Sequence, residues 1–82
     1  MDTRYVELIT WLDHQVDEGG WQSLEDAAML GPLKCVTVGF VVSETRDIVV
    51  LAPTYSTASE VTEHMAILKK VIVGRKRIKV TK

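Results

Sequence analysis

Lys34-Cys35-Val36-Thr37-Val38-Gly39-Phe40-Val41-Val42-Ser43-Glu44 is the stretch on which the fold turns. Val36, Val38, Phe40 and Val42 fall on one side of it, and Cys35, Thr37, Gly39 and Val41 on the other. Period two is the period of a strand. The expectation is a central strand with Val38 and Phe40 facing inward and Thr37 and Val41 facing away. Gly39 inside such a run marks a bend where a sheet curls.

Working outward, Glu44 to Asp47 is a short polar turn, and Ile48 to Thr54 is the next strand. That strand is apolar on both faces, as a strand covered from both sides would be. Its Pro53 sits where the strand should fade. Thr54 to Ser59 is a polar loop around Tyr55, and Val61 to Leu68 alternates as a third strand. Lys69-Lys70 interrupts the apolar pattern for one tight helical turn. Val71 to Val80 is the last strand, with Gly74 at an expected bulge.

Toward the N-terminus the signals are mixed. Ser23-Leu24-Glu25-Asp26 has the form of a capped helix start, with an acid three residues after Ser23. Leu24 to Leu30 then reads as a short helix, stopped by Gly31 and kept from resuming by Pro32. Tyr5 to His14 fits two templates. Tyr5, Leu8, Ile9, Leu12 and Val16 match one face of a helix, while Tyr5, Val6, Ile9, Thr10 and Trp11 are strand formers. The strand is the reading carried forward.

Composition bounds the rest. The 82 residues make one small domain, 1–82, and 46% of them are apolar, too many for a disordered chain. Ten Lys and Arg against eleven Asp and Glu leave a net charge of −1, so the molecule as a whole is no attractor for nucleic acid or membrane. The charge is uneven, however. Met1 to Leu33 holds seven acids and one base, and Met65 to Lys82 holds seven bases and no acid. Cys35 is the single cysteine, which excludes an intrachain disulfide and a multi-cysteine zinc site and suits a reducing compartment. No signal peptide is visible, and no apolar run approaches the ~20 residues of a membrane helix. A soluble cytoplasmic protein is expected.

The predicted order is strand, loop with helix, strand, turn, strand, loop, strand, helical turn, strand. Five short antiparallel strands in this order can curl into a small barrel, with one short helix inserted after the first strand. In this the chain resembles the SH3-like and Sm-like small barrels. It is also similar to small uncharacterised proteins encoded by tailed phages and prophages. That resemblance rests on Trp11-Leu12-Asp13, Trp21, Cys35 to Val42, Ile48 to Ala52, and Ile67 to Ile72. It implies a mainly β fold and, for a phage protein, residence in the host cytoplasm; it implies no activity. The turns at Glu44 to Asp47 and Leu68 to Val71 do not match the RNA-binding loops of Sm proteins. The aromatic cluster with which SH3 domains grip proline-rich peptides is missing from its expected places.

Residues that could carry chemistry are few. Asp13, His14 and His64 could suggest a proton relay or a metal, but neighbours on a strand point to opposite faces and His64 stands at no recognisable spacing. Cys35 reads as a half-buried strand residue. No catalytic group, metal, cofactor or small-molecule substrate is expected. Trp11 and Trp21 are large enough to seed a core. Trp21, in the loop before the helix, is read first as packing over the barrel and second as a binding anchor. The basic tail comprises Lys69, Lys70, Arg75, Lys76, Arg77, Lys79 and Lys82, with Arg75, Arg77 and Lys79 on one strand face. A row of cations can follow a phosphate backbone. It can equally discourage unwanted pairing at a sheet edge or pair with the acidic first third. The tail has no aromatic for base stacking. The expectation is therefore a non-catalytic module that self-associates and binds a macromolecule, a protein before a nucleic acid. The candidate contact residues are Arg75, Arg77, Lys79, Lys69, Lys70 and Trp21, and an Sm-like RNA contact through the basic strand is the alternative.

Overall fold

Tyr5 to His14 shows why local pattern alone left it open. In the computed structural model, which describes residues 1–80, strand β1 (Tyr5–Asp13) pairs on both sides. One neighbour is β2 (Leu33–Glu44) and the other is the last strand, β7 (Ile72–Lys79). A β-branched, aromatic-rich segment with a partner on each flank has its backbone groups satisfied as a strand, so tertiary pairing decides the ambiguity. Lys82 of the basic tail lies outside the described residues.

The remaining elements are α1 (Leu24–Ala27), β3 (Ile48–Ala52), β4 (Thr54–Tyr55), β5 (Val61–Thr62), β6 (Met65–Leu68) and a 3-10 turn at Lys69–Val71. Five strands form one antiparallel sheet in the order β6-β3-β2-β1-β7, and β4 pairs with β5 as a separate ribbon. The fold is mainly β, with the single short helix inserted after the first strand. Among the described residues the two outer strands, β6 and β7, do not pair with each other, so the sheet remains open.

Several expected boundaries move for local reasons. The strand expected over Val61 to Leu68 breaks at Glu63, which takes a left-handed φ of 57°. The strand expected over Ile48 to Thr54 breaks at Pro53, which cannot donate to a ladder. The helix expected over Leu24 to Leu30 closes after one turn, capped by the Ser23 hydroxyl, which accepts from the Asp26 amide at 3.1 Å. The bulge expected at Gly74 is present as a register shift: Thr10 pairs with Gly74 and Trp11 with Ile72.

The core is small. Ile9, Val49, Leu51 and Ile67 are buried, and Trp11, Val41, Val71 and Ile72 pack against them. Every strand of the sheet and the 3-10 turn contribute to it. This overturns the expected facing of β2. Val41 lies on the core side, while Val36 and Val38 are 60% and 48% exposed on the other. Phe40 shares their side and packs edge-to-face on Tyr55, with ring centroids 5.0 Å apart.

Two contacts explain the choice of face. A Cβ on Gly39 would stand 2.8 Å from the carbonyl oxygen of Ala52, so only glycine admits the close approach of the end of β3 to β2 there. Beside it, Trp11 donates its indole N–H to the Thr37 hydroxyl at 2.9 Å. A half-buried indole needs such an acceptor, and a valine could not supply it.

Beyond the ladder pair Asp13–Leu33 the chain leaves the sheet, and residues 14–32 form an arm that carries α1. The radius of gyration is 16.5 Å and the long axis 53 Å. A compact chain of this length would have a radius of about 12 Å.

Candidate interaction surfaces

Arg75, Arg77 and Lys79 do share a face of β7, as their spacing requires, and it is the same face as Tyr5, Glu7 and Ile9 of β1. Two of the three therefore meet partners inside the chain. Arg75 donates from Nε and Nη2 to the two Glu7 carboxylate oxygens, at 2.8 Å each. Its Nη1 and Nη2 also donate to Glu44, at 3.1 and 3.0 Å. Lys69 reaches the same Glu44 at 2.7 Å. The Arg77 guanidinium lies 4.6 Å from the centre of the Tyr5 ring.

The Glu44 carboxyl is drawn down from its ordinary 4.5 to about 2, chiefly by hydrogen bonds from Arg75 and then from Lys69. Arg75 is held still more firmly protonated than usual by Glu7 and Glu44. A forked guanidinium gripping two carboxylates is a strong, geometrically demanding contact. Here it ties β7 to β1 and to the far end of β2 across the face that carries Ile9. Arg75 and Lys69 are thus structural clamps as well as surface cations. Lys70 stays exposed in the 3-10 turn, and Lys79 is exposed opposite Tyr5.

Trp21 does not pack over the sheet. It is fully exposed on the arm, where Leu24 is 90% and Met29 80% exposed, with Val16 and Leu30 also open to water. No residue of α1 is buried. The arm is acidic as well as apolar: Asp13 to Leu33 holds Asp13, Asp17, Glu18, Glu25 and Asp26 and no Lys or Arg.

A second apolar surface lies on the outer face of the β2–β1–β7 half of the sheet. The register stacks its rows as Lys34 beside Leu12, Val36 beside Thr10 and Gly74, Val38 beside Leu8 and Lys76, and Val6 beside Ile78. Val36, Val38 and Ile78 are exposed. No acid stands on these rows, and two lysines do.

The residues that sequence reasoning missed are Glu7, Glu44 and, Trp21 apart, the apolar positions of the arm and outer face. Glu7 was visible in principle, since Tyr5, Glu7, Ile9 and Trp11 share one strand face and an acid among them needs a cation. Asp13 and His14 do approach, at 3.4 Å, because the strand ends at Asp13 and alternation no longer separates them. Among the described residues no three His, Cys, Asp or Glu side chains gather to hold a metal ion. Cys35 is half-buried, as expected. No helix among the described residues is long and apolar enough to cross a membrane. Compared with protein-family models, with curated proteins and with solved structures, the chain matches none.

Proposed function

We propose that this chain is a non-catalytic assembly module that self-associates and binds a protein partner, built on an SH3-like or Sm-like small barrel and acting in the cytoplasm, that of the host if the gene is a phage's. The strand order β6-β3-β2-β1-β7, with a 3-10 turn before the last strand, supports the barrel reading. The observation that carries the function is the arm. Loops longer than about 12–15 residues are uncommon in compact domains and are usually functional or disordered. This one holds a capped helix and five large apolar side chains that the chain itself leaves in water. Burying a side chain of this kind is worth about 1.5–3 kcal/mol. Against a typical stability of about 5–15 kcal/mol, so much unused apolar surface favours a partner.

An RNA contact through the basic strand is the competing reading, and it is weakened by the commitment of Arg75 and Lys69 to Glu7 and Glu44. Sedimentation at micromolar concentration separates the two. A dimer or larger species is the expected result, and a monomer at every concentration would overturn the proposal. Single-stranded RNA should not bind in a low-salt filter assay. Binding there that collapses with added salt would favour the alternative.

A further inference from the structure

We infer that the acidic, apolar arm of residues 14–32 docks on the outer face of the β2–β1–β7 sheet of a second copy of the chain. This rests on the self-association proposed above and names its contact. Two apolar surfaces are left in water on one molecule: the arm, with Trp21, Leu24 and Met29, and the outer face, with Val36, Val38 and Ile78. They do not meet within the chain, because the arm begins where the β1–β2 ladder ends and its residues remain exposed.

Their charges match. Including Asp13 at its base, the arm holds five acids without a base. The outer face presents Lys34 and Lys76 without an acid. Opposite fields on the rims of two apolar surfaces steer docking and fix its orientation. Two arms, by contrast, would repel each other, and so would two outer faces. Charge therefore selects arm against face, which a second copy supplies. Because arm and face are different patches, the contact is heterologous. Repeated, it builds a ring or an open chain; reciprocated, it builds an arm-exchanged dimer. An exposed tryptophan beside a short helix also suits such a contact: a large aromatic at the centre with charges around it is the usual anatomy of a contact anchor.

Complementation tests this directly. Trp21→Asp removes the arm's anchor and leaves the face intact; Val38→Glu puts an acid into the face and leaves the arm intact. Each variant alone should weaken self-association about tenfold or more and sediment near the 9.2 kDa of a single chain. Mixed in equal amounts, they should form a complex of twice that mass, since one still offers a face and the other an arm. Thermal melts by circular dichroism check folding. Should Val38→Glu melt early, Lys76→Glu, an exposed change on the same face, replaces it and should also weaken association. If either variant alone keeps the wild-type mass, or if the mixture stays monomeric while the wild type associates, arm-on-face docking is wrong and self-association stands by another contact. If the wild type is itself monomeric, both ideas fall together and the two surfaces are left to a different protein.

Discussion

The sheet and the arm are made of similar residues and put them to opposite use. In the sheet, Ile9, Val49, Leu51 and Ile67 are nearly or wholly removed from water. Val49 lies beside Ile67 and Leu51 between Val41 and Met65, while Ile9, whose ladder partners are Thr37 and Arg75, packs into the same cluster. In the arm, Val16, Trp21, Leu24, Met29 and Leu30 are exposed, and the one-turn helix buries nothing. The difference is topological. The β1–β2 ladder ends at Asp13–Leu33, and among the described residues the apolar side chains of the arm beyond that pair stay exposed. Apolar residues on the inner face of the sheet contribute to folding, and those of the arm stay in water.

The sharpest way to break this contrast is to truncate one residue from each region. Ile9→Ala opens a cavity in a core of only a few side chains and should cost about 2–5 kcal/mol in urea melts. In melts dilute enough to keep the chain monomeric, Leu24→Ala should change stability by no more than about 0.5 kcal/mol, the usual range for surface sites. Equal losses would mean that the arm is packed in the folded monomer.

Next in size is Gly39→Ala. The new methyl would press on the Ala52 backbone, which cannot swing aside as a side chain can. A loss of about 1–3 kcal/mol is expected, as for other overpacked sites. An unchanged melt would show that Ala52 does not approach Gly39 so closely.

Thr37→Val is smaller again. It keeps the shape and strips the acceptor from the Trp11 indole, so about 1–3 kcal/mol should be lost, toward the lower end because the site is only partly buried. Val38→Thr, one residue along on the outer face, should stay within about 0.5 kcal/mol in a dilute melt. If that ranking reversed, the core would lie on the other side of β2.

That pair also shows what the sequence could tell. The alternation from Cys35 to Val42 identifies a strand and nearly fixes its ends. It does not say which side is inside, because both sides carry apolar residues. The bulkier side, Val36, Val38 and Phe40, looks like the core, yet the inner space over β2 admits only Gly39 beside Thr37 and Val41. That restriction comes from Ala52 and Trp11, far away in the chain. The clamp is equally non-local, since Arg75 and Glu7 are 68 residues apart. Three cations on one face of β7 were legible, whereas the grip of Arg75 on both Glu7 and Glu44 was not. The arm's helix cap could be read from Ser23 and Asp26, but the absence of any surface for that helix to pack on is a property of the whole topology.

The clamp gives the smallest expected effect and a definite sign. Glu44 is drawn down from 4.5 to about 2, so its pairing stabilises the fold fully above pH 4.5. That contribution is lost as the pH falls from there toward 2, when the folded state too takes up the proton. Glu44 is partly open to solvent, which keeps the effect modest. Melting temperature should therefore drop over this acid range in the wild type, and more shallowly in Glu44→Gln. Identical slopes would mean that Arg75 and Lys69 do not hold Glu44.

The division of labour between sheet and arm is tested most directly at Trp21. Its fluorescence can be followed through a dilution series of the wild-type protein, with Trp21→Phe supplying the background from Trp11, which is hydrogen-bonded to Thr37 within the sheet. At high concentration the Trp21 emission should be blue-shifted, as for an indole taken out of water. It should move to the red on dilution, while the circular dichroism of the sheet does not change. Emission of a water-exposed tryptophan at every concentration, in a protein that sedimentation shows to be associated, would contradict the account.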